Sequence, residues 1–221
     1  MDLGLNGKVA LVAASSKGLG KASALALARE GARVTICART KADLDAAAEE
    51  IRGETGAEVL AVPTDLASAD GIHTVVAATV ARFGGVVRPM RAQRWGRIVG
   101  IQSMSVKQPV EGIDMSNGLR PGVAGLMKAL MPDLAKDGIT INLVLPGMFL
   151  TSRIIAGAGR SPEEDQVLQE QLAPVAATIP VGRLGDPMEL GNLVAFLASQ
   201  QASYITGSVY QVDGGFVRSN I

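Results

Sequence analysis

Two short stretches carry side chains that could do chemistry. In "DMSNGLRPGVAGLMK" (114–128), Ser116 and Arg120 bring a hydroxyl and a guanidinium onto a helical stretch. A serine hydroxyl is a very weak acid, and an arginine keeps its charge with a pKa above about 12, so the pair suits binding and is a poor proton relay. "SMSVKQP" (103–109) adds Ser103 at the end of a strand and Lys107 just beyond it, at the carboxyl end where ligands of parallel sheets bind. A desolvated lysine can reach a pKa useful in acid–base work, which makes Lys107 a candidate acid; a plain loop cation is the alternative.

A third stretch, "VAASSKGLG" (12–20), passes from an apolar strand into a helix through Gly18 and Gly20. Glycines there let the backbone approach a phosphate held by the helix N-terminus, with Ala14, Ser16, Lys17 and Leu19 along the same turn, so the stretch reads as a dinucleotide site. At the end of the next strand, Ala38 and Arg39 stand where a carboxylate would accept hydrogen bonds from a ribose 2′-hydroxyl. Two cations, Lys17 and Arg39, without a carboxylate favour a 2′-phosphate, and so NADP(H) over NAD(H). The alternative is two ordinary surface cations.

Other chemistries are excluded or disfavoured. The single histidine, His73, falls on a helical stretch with no nucleophile elbow, so a Ser-His-Asp hydrolase is not supported and His73 reads as a surface residue. The single cysteine, Cys37, lies in a strand and reads as a small buried hydrophobe. One Cys and one His leave no disulfide and no zinc cluster, which fits a reducing cytoplasm. Lys plus Arg equals Asp plus Glu at 21 each, so no global field draws nucleic acid or an anionic membrane. Arg88, Arg91, Arg94 and Arg97 around Trp95 read as a solvated helix end. No apolar run approaches the roughly 18 residues of a membrane helix.

The elements that must position these residues alternate. "KVALVA" (8–13), "RVTICA" (33–38), "AEVLAVPTDL" (57–66), "RIVGIQS" (97–103), "GITINLVLPG" (138–147) and "GSVYQVDGG" (207–215) read as strands. Helical stretches lie at 18–32, 40–56, 68–83, 116–136 and after "GDPMEL", where Asp186 suits the N-cap and Pro187 the first turn. Residues 148–175 read as a polar, mobile lid with Pro162, and Arg153 is its one evident recognition residue. A chain of 221 residues, 48% hydrophobic, can bury one core. The expectation is a single α/β domain over 1–221, a Rossmann-type doubly wound parallel sheet in three layers.

The whole pattern resembles the short-chain dehydrogenase/reductase family, and in particular its 3-oxoacyl-acyl-carrier-protein reductases. The resemblance rests on "AASSKGLG", "TDL" (64–66), "GRIVGIQS", "GITINLVLPG", "GRLGDPMEL" and "ITGSVYQVDGG". It implies NADP(H)-dependent interconversion of a ketone, a 3-oxoacyl thioester among the candidates, with a secondary alcohol. By the same resemblance Asp65 and Leu66 border the adenine, while Pro146, Gly147, Phe149 and Thr151 border the nicotinamide half. The family uses Ser, Tyr and Lys; Ser103 matches the first, but Ser116 and Arg120 stand at the other two positions. Ala13 and Ala14 likewise replace the usual Thr-Gly. A nucleotide-binding homologue that has lost hydride transfer and serves as sensor or scaffold is the alternative.

The resemblance also implies a fourth strand and a long helix where only about a dozen residues separate Phe83 from Arg97. A segment therefore looks absent between about 84 and 90, and its loss would leave strand edges unpaired and a slot in the core. The expected partners are a small carbonyl or alcohol substrate, no nucleic acid and no membrane. The family resemblance adds a homotetramer paired through helix 116–136, where Val123, Met127, Leu130 and Met131 exceed the apolar surface that one sheet face needs.

Overall fold

The computed structural model describes residues 1–84, 87–157 and 165–219. The expected join between 84 and 90 therefore falls partly on residues outside the described ones, as do Pro162 and the side chains of Arg88 and Arg153.

Among the described residues, six strands and eight α-helices follow in chain order: β1 (Val9–Val12), α1 (Gly18–Arg29), β2 (Arg33–Ala38), α2 (Lys41–Thr55), β3 (Val59–Pro63), α3 (Ala69–Phe83) and α4 (Val87–Gln93). Then come β4 (Gly96–Ile101), α5 (Asp114–Lys136), β5 (Ile139–Pro146), α6 (Ser152–Gly157), α7 (Asp165–Ala177), α8 (Pro187–Ala198) and β6 (Val209–Val212). The lid region read from sequence as loop thus carries helices α6 and α7.

All ladders are parallel, but they form two sheets, β1-β2-β3 and β4-β5-β6. Among the described residues β1 pairs only with β2 and β4 only with β5, so each keeps one edge without a ladder partner there. Between those edges lies a slot of about 710 Å³, walled by Val9–Val12 on one side and Arg97–Ile101 on the other. Its floor is α1 and α8, through Leu19, Leu27, Val194 and Ala198.

Strand alternation sorts the layers. Val34 and Ile36 of β2, Val144 of β5, Ala10 and Val12 of β1, and Val99 and Ile101 of β4 all pack into one apolar cluster with α1, α2 and α8. The opposite face holds α3, which packs Val75 against Cys37 and Val62 and joins Thr79 to Thr35 by a buried hydrogen bond of 3.1 Å. It also holds α5, whose Met127 lies over Gly100 and Leu143.

With no strand pairing between the halves, the α1–α8 crossing carries their union. A Cβ on Gly191 would come within 2.7 Å of the Ala22 carbonyl oxygen and 3.3 Å of the Ala26 Cβ, so only glycine permits this approach. α8 itself begins with a capping box: Asp186 accepts from Met188 N–H at 2.7 Å, and Glu189 accepts from Asp186 N–H at 2.8 Å. Two hydrogen bonds from Arg183 to Glu189, aided by that backbone donor, hold the Glu189 carboxyl down at about 2.

Gly191→Val should force the helices apart and cost about 2–3 kcal/mol, lowering a thermal midpoint by roughly 5–10 °C. An unchanged midpoint in a calorimetric melt would show that the crossing does not hold the halves.

Candidate active site

The glycine turn is built for close approach. Ser15 is fully buried; its hydroxyl donates to Val12 O at 2.7 Å and accepts from Cys37 N–H at 3.1 Å, tying the turn to β2. Cys37 is itself buried, and burial pushes its thiol pKa up, as suits an unreactive core residue. A Cβ on Gly20 would collide with the Ala14 carbonyl oxygen, so α1 can start this close to β1 only with glycine. Lys17, the N-cap of α1, offers no side-chain hydrogen bond to the helix start, which leaves the first-turn N–H groups to an external acceptor. Across the turn, the Thr151 side chain stands 3.6 Å from where a Gly18 Cβ would be, so the two halves of the molecule meet there. These features fit a dinucleotide pyrophosphate.

Ala14 departs from the family pattern at a cost. Its φ of 51° is left-handed, a region that glycine occupies freely and alanine does not. Lys17 is exposed and forms an ion pair with Asp43 at 2.8 Å, and Arg39 is exposed at the end of β2. The two cations therefore flank the β2 end with one of them already sharing its charge with Asp43 on α2. Asp65 accepts from Ala67 N–H at 3.0 Å in the turn before α3, and Leu66 packs beside Val62 and Val75.

The carboxyl end of β5 opens the other half of the site. A Cβ on Gly147 would come within 2.6 Å of Asp213 Cβ, so the chain passes β6 at a distance only glycine allows. Pro146 closes β5, and Phe149 is buried and bridges to Gly185. Thr151 O accepts from Ile154 and Ile155 N–H and so starts α6.

Ser103 follows β4, where its hydroxyl accepts from Ser105 N–H at 3.2 Å. The structure brings Ser116 and Arg120 together: Arg120 Nε donates to Ser116 Oγ at 2.6 Å. Arg120 also reaches Gln102 Oε1 at 3.4 Å, which sets the pair against the residue preceding Ser103. Lys107 goes elsewhere, its ammonium donating to Gln211 Oε1 on β6 at 3.2 Å.

Three residues of this region escaped sequence reasoning. Asn117 clamps the preceding loop, donating to Val110 O at 2.7 Å and accepting from Val110 N–H at 3.1 Å, and so orients the turn that carries Ser116. Gln102 and Gln211 hold Arg120 and Lys107. For Gln102 and Gln211 the available signal was a polar side chain near the carboxyl end of an otherwise apolar parallel strand.

The remaining calls are quickly placed. His73 is exposed on α3. Arg97 lies beside the Trp95 ring, 5.0 Å from its centroid, and donates to Ser199 O at 2.9 Å; burial pulls its pKa down. Among the described residues no cluster could hold a metal, and no helix is long and apolar enough to cross a membrane.

Comparison with known proteins decides the family. The model described as "short chain dehydrogenase" matches residues 8–88, and that described as "Enoyl-(Acyl carrier protein) reductase" matches 86–217. The chain belongs to the short-chain dehydrogenase/reductase family. It is 31% identical to the 3-oxoacyl-[acyl-carrier-protein] reductase of Aquifex aeolicus, covering 97% of this chain and 99% of that protein. It is 30% identical to the Escherichia coli enzyme of the same name, covering 96% and 98%. Among solved structures, the L-sorbose reductase of Gluconobacter frateurii complexed with NADPH and L-sorbose superposes with a TM-score of 0.91 at 29% identity, covering 99% of this chain and all of that one. The actinorhodin polyketide ketoreductase with NADPH superposes at 0.84 and 29%, covering 95% and 97%.

Ala14→Gly should relieve the left-handed strain and raise stability by up to about 1 kcal/mol. The check is a urea midpoint that rises at unchanged slope.

Proposed function

We propose that the chain is an NADP(H)-binding oxidoreductase of ketones and secondary alcohols whose proton transfer is impaired. The observation that carries this reading is the Arg120–Ser116 hydrogen bond of 2.6 Å at the positions where the family has Lys and Tyr. Its reductase relatives and the two NADPH-bound structural neighbours support the reaction class, and a 3-oxoacyl thioester is the first substrate to test.

When bound, a reduced nicotinamide supplies a hydride to the carbonyl carbon. The chain's own residues then have two tasks. The first is to hold the dinucleotide: the α1 N-terminus and the Gly18–Gly20 turn take the pyrophosphate, Lys17 and Arg39 the 2′-phosphate, Asp65 and Leu66 the adenine side, and Pro146, Gly147, Phe149 and Thr151 the nicotinamide side. The second is to orient the carbonyl oxygen and give it a proton. Ser103 serves the orientation, and the Arg120 guanidinium stabilises negative charge nearby. Ser116 can donate a hydrogen bond outward while accepting from Arg120, but its hydroxyl does not readily release the proton. Lys107 is the other donor in reach of the loop, provided that it leaves Gln211.

The same geometry favours a second reading, in which nucleotide occupancy without turnover is the function. The homotetramer expected from the resemblance belongs to either reading. The structure changes which residues of α5 are available for pairing: Met127 and Met131 turn to the sheet, against Gly100 and Gly207, while Val123 and Leu130 stay exposed.

General acid catalysis contributes typically 10²–10⁴-fold, so single-turnover reduction of a 3-oxoacyl thioester should be slower than in the Ser116→Tyr/Arg120→Lys double variant by about that factor. The double variant should exceed the product of the single effects, because the lysine acts through the tyrosine. Fast reduction by the unmodified chain that Lys107→Ala abolishes would assign the acid to Lys107. No turnover in any variant at saturating NADPH would favour the second reading.

A further inference from the structure

Two cations of the candidate site are held without a countercharge, and the strand register shows how. Ile101, Val144 and Tyr210 stand side by side across β4, β5 and β6 and pack into the apolar cluster shared with α1 and α8. Gln102 N–H donates to Val144 O at 2.9 Å and Leu145 pairs with Gln211, so Gln102, Leu145 and Gln211 form the next row. Successive residues of a strand point to opposite faces, which turns this row toward α5. The two glutamines thus flank the buried Leu145, about 10 Å apart across two strand spacings.

Each glutamine holds one cation. Gln102 Oε1 accepts from Arg120 at 3.4 Å, and Gln211 Oε1 accepts from the Lys107 ammonium at 3.2 Å. A neutral amide orients a cation without cancelling its charge, whereas a glutamate of the same size would cancel it. Elsewhere the chain does use carboxylates: Lys21 pairs with Glu50, Arg29 with Glu54 and Arg82 with Glu58. Among the described residues the partners of Arg120 and Lys107 are Ser116, Gln102 and Gln211, all neutral. Asp213, two residues beyond Gln211, is engaged by its own loop, accepting from Gly215 N–H at 3.0 Å and Val217 N–H at 2.9 Å. Glu111 and Asp114, ahead of Ser116, are exposed.

Donor capacity is left over at both cations. An ammonium has three N–H donors, of which Gln211 takes one; a guanidinium has five, of which Ser116 and Gln102 take two. Lys107 and Arg120 are half-buried, so their charge is screened less than that of a surface lysine or arginine. The turn that joins Ser103 to Lys107 also buries the Ser105 hydroxyl without a partner. Uncancelled positive charge and unused donors beside Ser103 are what an anionic substrate group requires.

We propose that the ketone is an oxo acid: it carries a carboxylate close to its carbonyl, and Lys107 holds that carboxylate while keeping its bond to Gln211. Arg120, tied to Ser116, stays with the carbonyl oxygen. The inference rests on the oxidoreductase reading for the carbonyl and adds the charge of the substrate. Lys107 is then a specificity-determining residue and Gln211 the positioning residue behind it. A thioester, neutral beside its carbonyl, leaves the Lys107 charge unanswered.

The probes are 3-oxobutanoate and its methyl ester, which share the carbonyl and differ in charge. Calorimetric titration of each into the full chain, with and without NADP⁺, reads binding without reduction. The acid should bind at least tenfold tighter than the ester, and the margin should shrink as salt rises. Gln211→Glu gives Lys107 a carboxylate of its own and should weaken the acid at least tenfold while leaving the ester unchanged. Lys107→Met should do the same, and a thermal melt checks that both variants are folded. Equal affinity for the two probes, or no saturable binding of the acid, overturns the proposal. So does a Lys107→Met variant that keeps the margin and slows hydride transfer to both probes, since that assigns Lys107 the proton. The oxidoreductase reading fails separately, on the absence of NADPH oxidation with any ketone, an outcome that leaves the binding margin measurable.

Discussion

The crossing of α1 and α8 at Gly191 is the contact on which the other features depend. A parallel α/β domain ordinarily passes its cohesion through a continuous ladder, but here the ladder stops at β1 and resumes at β4. The halves are joined by one apolar layer, in which the alanines of α1 let α8 come close enough to share a core with both sheets. Arg97 adds a polar tie from β4 to the end of α8 through Ser199 O. Small residues at this crossing are therefore a requirement of the fold and not an accident of composition.

The site inherits that arrangement. The glycine turn with Lys17 and Arg39 stands on the β1–β3 half, while Thr151, Gly147, Ser116 and Arg120 stand on the β4–β6 half. Only their relative placement, set by α1 and α8, brings Thr151 against Gly18. The two departures from the family pattern are different in kind. Ala14 strains the backbone of the glycine turn, whereas Ser116 and Arg120 form a hydrogen-bonded pair whose proposed consequence is for proton transfer.

Much of this was legible in the residues because it is local. Strand and helix order follow from periodicity, and Gly18, Gly20 and Asp186 mark turns and caps whose geometry their own types dictate. The Ser116–Arg120 bond, which the residues alone did not announce, is a contact between neighbours four apart on a helix. What escaped depends on distant partners. Gln211 captures Lys107 from far along the chain, and Lys17 is met by Asp43, neither of which spacing can foretell. The split sheet was foreshadowed by the short interval before β4, while the sheet-facing turn of Met127 and Met131 was not, because α5 is apolar on more than one side. Helices α6 and α7 were hidden by the small and polar residues around them.

The central claim is that the dinucleotide cradle survives although the proton donor does not. Its most direct test is equilibrium binding of NADPH and NADH to the unmodified chain, followed by nicotinamide fluorescence at matched ionic strength. The account predicts saturable binding of one NADPH per chain, at least tenfold tighter than NADH because Arg39 and Lys17 meet the 2′-phosphate. Equal affinity for the two, or no saturable signal with either, would contradict it.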